Sequence, residues 1–182
     1  MAIKSEVWTF NLTLFRCCLQ RFLLIIESVD LMKIQRADVL DAEHILELQK
    51  TSYKSEAELY HDYNMPPMTQ TLKEMQGDFL YKKFLKATEG DKIIGSVRAF
   101  EKDGTCHVGR LMVHPDFQNH GIGTKLMQEI ENLFGTCKRF ELFAGSKSKK
   151  NIMLYERLGY KTFKTEKINE NVSLVYMEKF RK

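Results

Sequence analysis

The stretch LMVHPDFQNHGIGTKL, residues 111–126, constrains the fold of this chain most strongly. It begins as an apolar strand, breaks at Pro115 and passes through a polar run that contains Gly121 and Gly123. It then continues with apolar residues at helical spacing. The first N–H groups of such a helix have no intrahelical acceptor, so the turn is a candidate site for an anionic group.

Apolar periodicity from Met32 onward predicts a single α/β domain with a mixed central sheet of about seven strands and about four helices. The predicted strands span residues 33–36, 84–88, 93–101, 106–113, 139–144, 160–166 and 172–180. The predicted helices are one capped by Asp38, one capped by Thr69, and two over residues 121–134 and 148–158. A polar stretch with Tyr53, Tyr60 and Tyr63 is predicted to follow the first helix.

Residues 1–31 differ in character from residues 32–182, and we expect them to form an N-terminal extension. Their three basic and three acidic residues cancel, so the net charge of +4 belongs to residues 32–182. Apolar residues spaced by four and three from Trp8 to Ile26 would form a stripe on a helix that docks on the body, a partner or a membrane surface. The alternatives are a chance stripe, or a natural translation start at Met32. The longest apolar run is too short to span a bilayer, and a secretory signal pattern is absent from the sequence.

Composition narrows the class of protein. A hydrophobic content of 43% and a charged content of 29% fit a globular domain rather than a disordered or membrane protein. The net charge of +4 suits an anionic small ligand but is too weak to indicate nucleic acid. The four cysteines, Cys17, Cys18, Cys106 and Cys137, show neither a CxxC pair nor a metal-ligand spacing. We therefore expect a cytoplasmic protein with reduced thiols and without metal, membrane or nucleic-acid partners.

Three phosphate-binding designs can be compared with the glycine turn. A dinucleotide fingerprint requires a third glycine where Leu126 stands, and a Walker loop requires wider glycine spacing followed by Lys-Ser/Thr rather than Thr124-Lys125. The remaining design is a Q-x-x-G-x-G loop, Gln118 to Gly123, at a helix N-terminus. Its glycines would let a pyrophosphate approach the backbone. The alternative is a plain strand-to-helix connection with glycines for tight packing.

Two segments carry a resemblance to a known family. LMVHPDFQNHGIGTKLM, residues 111–127, resembles the acetyl-CoA loop of the GNAT superfamily of N-acetyltransferases, and NIMLYERLGYK, residues 151–161, resembles its later helix-and-strand motif. The predicted strand order also matches the fold of that family. The resemblance covers residues 32–182, which it implies to be the N-acetyltransferase domain, and excludes residues 1–31.

The resemblance implies acetyl-CoA as cofactor and CoA as product. Backbone groups of Leu111, Met112 and Val113 would contact the pantetheine arm, and the Val113 N–H would polarise the thioester carbonyl. These strand residues could equally serve the core alone. The pyrophosphate would meet the loop and helix start, formed by Gln118, Asn119, His120, Gly121, Ile122, Gly123 and Thr124. Ser148 stands where many members carry an asparagine, and both Ser148 and Asn151 are candidate cofactor contacts.

The resemblance also suggests catalytic groups. Tyr155 matches the family tyrosine that protonates the leaving thiolate, and it also contacts the cofactor; the alternative is core packing. His107 occupies the position of a family carboxylate base, but a lone strand histidine often has only a structural role. Glu101 and Glu141 are other strand carboxylates. A base is not required if the amine arrives neutral.

We therefore expect transfer of an acetyl group to a primary amine of an unknown small molecule or peptide by direct attack. The alternative is a non-catalytic acyl-CoA-binding or interaction module on the same fold. The acceptor would enter between the first two helices and the sheet, where Glu56, Glu58 and Asp62 could favour a cationic group. The extension and the final hairpin could pair in a homodimer, but no residue pattern decides this.

Overall fold

The computed structural model describes residues 32–181. The predicted stripe between Trp8 and Ile26 and the interpretations of residues 1–31 lie outside the described residues. The boundary before Met32 therefore stays a prediction.

One mixed sheet of seven strands forms the centre of the described part of the chain, in the order β1-β2-β3-β4-β5-β7-β6. The strands are β1 (Lys33–Ala37), β2 (Lys83–Glu89), β3 (Lys92–Lys102), β4 (Thr105–Val113), β5 (Arg139–Gly145), β6 (Lys161–Lys167) and β7 (Ser173–Phe180). Neighbouring strands are antiparallel except β4 and β5, which are parallel. The α/β class and the seven predicted strands are confirmed.

Five α-helices accompany the described sheet, one more than predicted. They are α1 (Ala42–Tyr60), α2 (Pro66–Thr69), α3 (Leu72–Asp78), α4 (Ile122–Leu133) and α5 (Lys149–Arg157). The additional helix, α2, begins with two prolines because proline lacks only an N–H that the first helical turn leaves unpaired. In the span from residue 32 to residue 181, helices of the length and apolar character needed to cross a membrane are absent.

The first helix is longer than the sequence predicted. Helix α1 continues through Tyr53 to Tyr60, and only Tyr63 of the three tyrosines lies beyond it. It ends at His61, whose backbone is left-handed with φ of 51° and whose N–H donates to the Ala57 and Glu58 carbonyls. Burial of Ala57 and Tyr60 outweighs the polar character of this stretch.

The helix after α2 is capped two residues later than the sequence predicted. Thr71, rather than Thr69, caps α3: its hydroxyl accepts from the Glu74 N–H at 3.3 Å, and the Glu74 carboxylate accepts from the Thr71 N–H at 2.7 Å. This reciprocal pair satisfies two N–H groups at once, whereas Thr69 ends α2. Asp38 is a cap as predicted: its carboxylate accepts from the Leu40 N–H at 2.8 Å. The element that it caps is a short 3-10 turn, which precedes α1.

Helices lie on both faces of the sheet and divide the core. On one face α4 and α5 pack on the larger cluster, in which Leu126, Met127 and Ile130 are fully buried. On the other face α1 and α3 pack on a smaller cluster that includes Met75 and Phe84. Each fully buried aliphatic side chain contributes roughly 1.5–3 kcal/mol. Helix α4 also provides the crossover that parallel β4 and β5 require.

A buried ion pair joins α3 to the sheet. The Asp78 carboxylate accepts from the Arg98 guanidinium, from Lys82 Nζ at 2.6 Å, and from Gln70 and Tyr81 at 2.8 Å. Burial alone would raise the pKa of Asp78, but the Lys82, Tyr81 and Arg98 contacts outweigh it and hold the pKa below its ordinary value. The carboxylate is therefore ionised at neutral pH.

Replacing Asp78 with asparagine should lower the free energy of unfolding at pH 7 by about 3–5 kcal/mol, because Arg98 is left buried without a counter-charge. Urea denaturation measures this loss. Because the pKa of Asp78 is lower in the folded state than in the unfolded state, its ionised carboxylate stabilises the fold above about pH 4. This stabilisation is lost as the pH falls through the folded pKa, so the difference in stability between wild type and variant should shrink in acid. Glu166→Gln, which breaks a solvent-exposed pair with Lys164, is the control and should change little. An Asp78→Asn protein as stable as wild type would contradict the role of the pair.

Candidate functional site

A slot opens between the two parallel strands. Pairing of β4 with β5 covers only Thr105–His107 against Arg139–Glu141, so residues 108–113 have no partner in β5 within the described sheet. The His114 N–H donates to the Ile94 carbonyl of β3 at 2.8 Å. Because successive residues of a strand point their backbone groups to opposite sides, the N–H and carbonyl of Val113 face the slot.

A β-bulge accounts for the divergence of β4 from β5. Between the pairs Ser96–Met112 and Arg98–Gly109, two residues of β4 oppose one residue of β3. One of these two residues is Arg110, whose φ of 52° is left-handed. A bulge of this kind bends the strand and increases its twist. The bulge therefore turns the last residues of β4 away from β5 and leaves their backbone edge free.

Two side chains reach the slot at Val113. Its carbonyl accepts from the Ser52 hydroxyl of α1 at 3.3 Å and from the Gln118 side-chain amide at 3.2 Å. The side chains of Leu111 and Val113 turn the other way and pack against the larger core cluster. These strand residues thus support the core with their side chains and present backbone groups to the slot. Met112 is buried in the smaller cluster on the opposite face.

The turn after β4 ends in a helix start with free donors. Asn119 and Gly121 have left-handed backbones, with φ of 66° and 77°, and the first helical hydrogen bond runs from the Lys125 N–H to the Gly121 carbonyl at 3.1 Å. The N–H groups of residues 122–124 precede the first intrahelical donor and have no acceptor within the helix. Together with the helix dipole they favour an anionic group at this end. The exposed His120 adjoins them.

The two glycines of the turn have different reasons to be glycine. A Cβ on Gly121 would meet nothing within 4 Å, so its constraint is the positive φ alone. A Cβ on Gly123 would lie 3.5 Å from Leu154 of α5 and 3.8 Å from Leu111, which is ordinary contact. Helix α4 therefore starts close to α5, beside the edge of β4.

Tyr155 of α5 lies in the wall of this region. Its side chain is buried, and its ring is 6.1 Å from that of Tyr160. Burial raises the pKa of Tyr155, and the neighbouring Tyr53 and Glu56 raise it further. The phenol is therefore protonated at neutral pH. Within residues 32–181 its hydroxyl makes no hydrogen bond to protein, so it remains free to donate to a bound molecule.

The residues predicted to hold the cofactor beyond the loop have a different partner. Both Ser148 and Asn151 donate to the Glu56 carboxylate of α1, Asn151 at 3.3 Å. The Tyr60 hydroxyl accepts from the Lys147 N–H at 2.6 Å. Helix α1 is thus fastened to the connection between β5 and α5. The predicted cofactor contacts of Ser148 and Asn151 stay predictions, because each side chain has further hydrogen-bonding capacity.

Sequence reasoning missed the part that α1 plays in the site. Ser52, Glu56 and Tyr60 lie four residues apart, so they form one face of the helix toward the slot. The spacing was visible in the sequence, but the helix was predicted to end before it.

His107 lies at the closed end of the slot. It occupies the last paired position, opposite Glu141, with its ring 5.0 Å from Phe100 and its Nδ1 3.9 Å from the Glu141 carboxylate. Six residues of extended strand, about 20 Å, separate His107 from Val113. Glu141 is itself paired with Arg139 at 2.7 Å. The base role of His107 stays a prediction, and this position favours a structural role.

Other features of the described residues lie apart from the slot. A surface pocket of about 350 Å³ borders the outer side of the loop and is lined in part by Met32, Phe117, His120 and Lys125. It is separate from the free edge of β4, where the geometry concentrates donors. Between residues 32 and 181, groups of three or more His, Cys, Asp or Glu side chains that could hold a metal ion are absent.

Comparison with known proteins identifies the family to which the sequence is similar. The family model described as the acetyltransferase (GNAT) domain matches residues 47–180. The UPF0157 protein YqkA of Bacillus subtilis strain 168 is 23% identical over 141 residues, which are 78% of this chain and 40% of that protein. The chain therefore spans less than half the length of this curated relative.

Solved structures share the fold at low sequence identity. The PaiA N-acetyltransferase of Thermoplasma acidophilum, in complex with coenzyme A, superposes with a TM-score of 0.68 at 18% identity, over 82% of this chain and 99% of that one. YncA of Salmonella typhimurium, with acetyl-CoA as its cofactor, superposes with a TM-score of 0.64 at 20% identity, over 82% and 93% of the two chains.

Gly121→Ala should lower the free energy of unfolding by about 1–2 kcal/mol, because alanine is strained at positive φ. Gly121→Asn should cost less, since asparagine tolerates the left-handed region. Urea denaturation of the two variants measures the difference. Because a Cβ here meets no neighbouring atom, equal stability of Gly121→Ala and wild type would show that the turn adopts another conformation.

Proposed function

Because the chain belongs to the family of GNAT acetyltransferase domains, we propose that it transfers the acetyl group of acetyl-CoA to a primary amine of a small molecule or peptide. The observation that carries this proposal is the free backbone edge of β4 beside a helix start with unpaired N–H groups. The edge suits an amide-containing chain such as pantetheine, and the helix start suits a pyrophosphate.

The residues around the slot fit such a cofactor. We infer that the backbone from Leu111 to Val113 binds the pantetheine arm, and that the loop from Gln118 to Thr124 binds the pyrophosphate, with Asn119, His120, Gly121, Ile122 and Gly123 between them. The left-handed backbones of Asn119 and Gly121 support this assignment because they turn the loop toward the start of α4. Acetyl-CoA would supply an activated acetyl carbon and a thiol leaving group.

Acetyl transfer requires few groups of the chain itself. The amine nitrogen forms a bond to the acetyl carbon, the carbon–sulfur bond breaks, one proton leaves the amine and one reaches the sulfur. We infer that the Val113 N–H stabilises the negative charge that develops on the acetyl oxygen, because this N–H faces the slot. Tyr155 is the candidate proton donor to the sulfur, since its phenol is protonated and has no protein partner among residues 32–181. An amine that arrives neutral needs no base before it attacks, and the proton that it then releases balances the one that the sulfur takes up.

Calorimetric titration should show micromolar binding of acetyl-CoA, about −8 kcal/mol, and Gly123→Glu should abolish it by placing bulk and negative charge at the helix start. The new Cβ would make only ordinary contacts, and circular dichroism of the variant checks that the longer side chain leaves the fold intact. Gln128→Glu adds the same charge to an exposed position of α4 and should leave binding intact. Normal binding by Gly123→Glu would refute the loop assignment.

Tyr155→Phe should lower turnover by about 10²-fold or more while acetyl-CoA affinity stays unchanged, because the donor is lost and the packing is kept. Thiol release and calorimetry measure the two quantities. Tyr160→Phe is the matched control, since Tyr160 is also buried but its hydroxyl donates to Glu131 at 2.9 Å within the core. Unchanged turnover of Tyr155→Phe would remove Tyr155 from the mechanism. Binding of acetyl-CoA without thiol release by the wild type, with any amine, would indicate the non-catalytic module instead.

A further inference from the structure

Arg110 is a guanidinium with an unused donor beside the slot. It belongs to the bulge of β4 and holds a left-handed backbone. Its Nε is buried and has no hydrogen-bond acceptor. Within residues 32–181 it forms no ion pair, since carboxylate oxygens there lie beyond 4.0 Å. A buried donor without an acceptor costs about 1–3 kcal/mol, and a ligand that accepts from the guanidinium would reduce that cost.

The surroundings of Arg110 have an excess of positive charge. Burial lowers the pKa of Arg98, and the charge of Arg110 lowers it further against the opposing effect of Asp78, so the two guanidiniums are close enough to repel. The Asp78 carboxylate is already shared between Arg98 and Lys82. Among residues 32–181, Arg110 has no carboxylate within ion-pair distance, so an anion could accept from its guanidinium and balance its charge.

Arg110 points to the side of the slot that α1 covers. Its guanidinium carbon lies 5.5 Å from the centre of the Tyr53 ring. The preceding residue of α1, Ser52, donates to the Val113 carbonyl, and Tyr53 is close enough to Tyr155 to affect its pKa. Tyr53 is therefore a neighbour of both the guanidinium and Tyr155. Along β4 the distance from Arg110 to Val113 is three residues, about 10 Å.

The same face of α1 carries the opposite charge one turn further on. Glu56 is half-buried, accepts from Ser148 and Asn151, and is near enough to Tyr155 to raise its pKa. A molecule under α1 would thus meet a carboxylate near Tyr155 and a guanidinium near Tyr53. This arrangement complements a small molecule with both charges.

We propose that the acceptor is a small amine that carries a carboxylate, with Arg110 binding the carboxylate and Glu56 facing the amine; this rests on the proposed acetyltransferase function. The planar guanidinium can bind a carboxylate through two parallel hydrogen bonds, one of them from Nε. A polyamine or an amine with a neutral tail would leave that donor unpaired.

A thiol-release assay tests the substrate class. The panel is the twenty standard amino acids, their carboxamides and spermidine, compared at equal concentrations of neutral amine. At least one amino acid should be acetylated with a kcat/KM about 100-fold above that of its carboxamide, because only the acid satisfies Arg110. Equal rates for acid and carboxamide, or acetylation of spermidine alone, would overturn the proposal.

Variants of Arg110 assign the preference to this residue. Asparagine tolerates the left-handed backbone at this position. Arg110→Asn should therefore raise KM for the amino acid about 100-fold and leave KM for the carboxamide unchanged. Arg110→Lys keeps the charge without the fork and should fall between the two. Lys161→Gln removes an exposed cation elsewhere and is the control. A preference for the acid that survives in Arg110→Asn would overturn the assignment.

Calorimetry with acetyl-CoA distinguishes a failure of the proposed acceptor class from a failure of the proposed acetyltransferase function. Acetyl-CoA binding without acetylation of any amino acid in the panel would overturn the acceptor class and leave the cofactor site standing. Absence of acetyl-CoA binding would overturn the proposed function and, with it, this inference.

Discussion

The bulge in β4 is the constraint on which the rest of the site depends. With two residues of β4 opposite one residue of β3, the strand bends after Gly109 and its pairing with β5 stops at His107. A regular β4 would continue the ladder along β5, whose last residue, Gly145, stands in register with Leu111. The fold thus leaves polar backbone groups unpaired at the centre of a sheet, where a closed ladder would stabilise the domain more. Such an exception is typical of sites that bind a ligand through the backbone.

Helix α1 forms a second side of the slot, beside the unpaired edge of β4. Its polar face binds three separate elements: Ser52 binds β4, Glu56 binds the start of α5, and Tyr60 binds the connection after β5. The Tyr60 ring also packs against Gly145, where a Cβ would lie 2.3 Å from its hydroxyl. The width of the slot is therefore held by hydrogen bonds from one helix to both of the diverging strands and their extensions.

Local patterns predicted the strands, α4 and the glycine turn because each depends on neighbours in the sequence, such as the apolar periodicity of a strand or the glycines that permit a positive φ at Gly121. The end of α1 was missed because Tyr60 gains its stability from packing on Gly145, which is 85 residues away. The Glu56 contacts with Ser148 and Asn151 depend on the same long-range docking. The bulge could not be predicted from the sequence either, because Gly109 and Arg110 fit a regular strand until the register of β4 with β3 is known.

The burial of Tyr155 sets a limit on how it can act under the proposed function. A thiol has an ordinary pKa near 8.5 and a phenol near 10, and burial raises the pKa of Tyr155 further. Full proton transfer from this phenol to a free thiolate would therefore be uphill, by about 1.4 kcal/mol for each pKa unit of difference. Under the proposed function, Tyr155 therefore gives its proton to the sulfur while it takes up the proton that the attacking amine releases, so that the phenol is protonated again at the end of the transfer. The amine thus supplies the proton that the thiol gains, and no separate strong base is required.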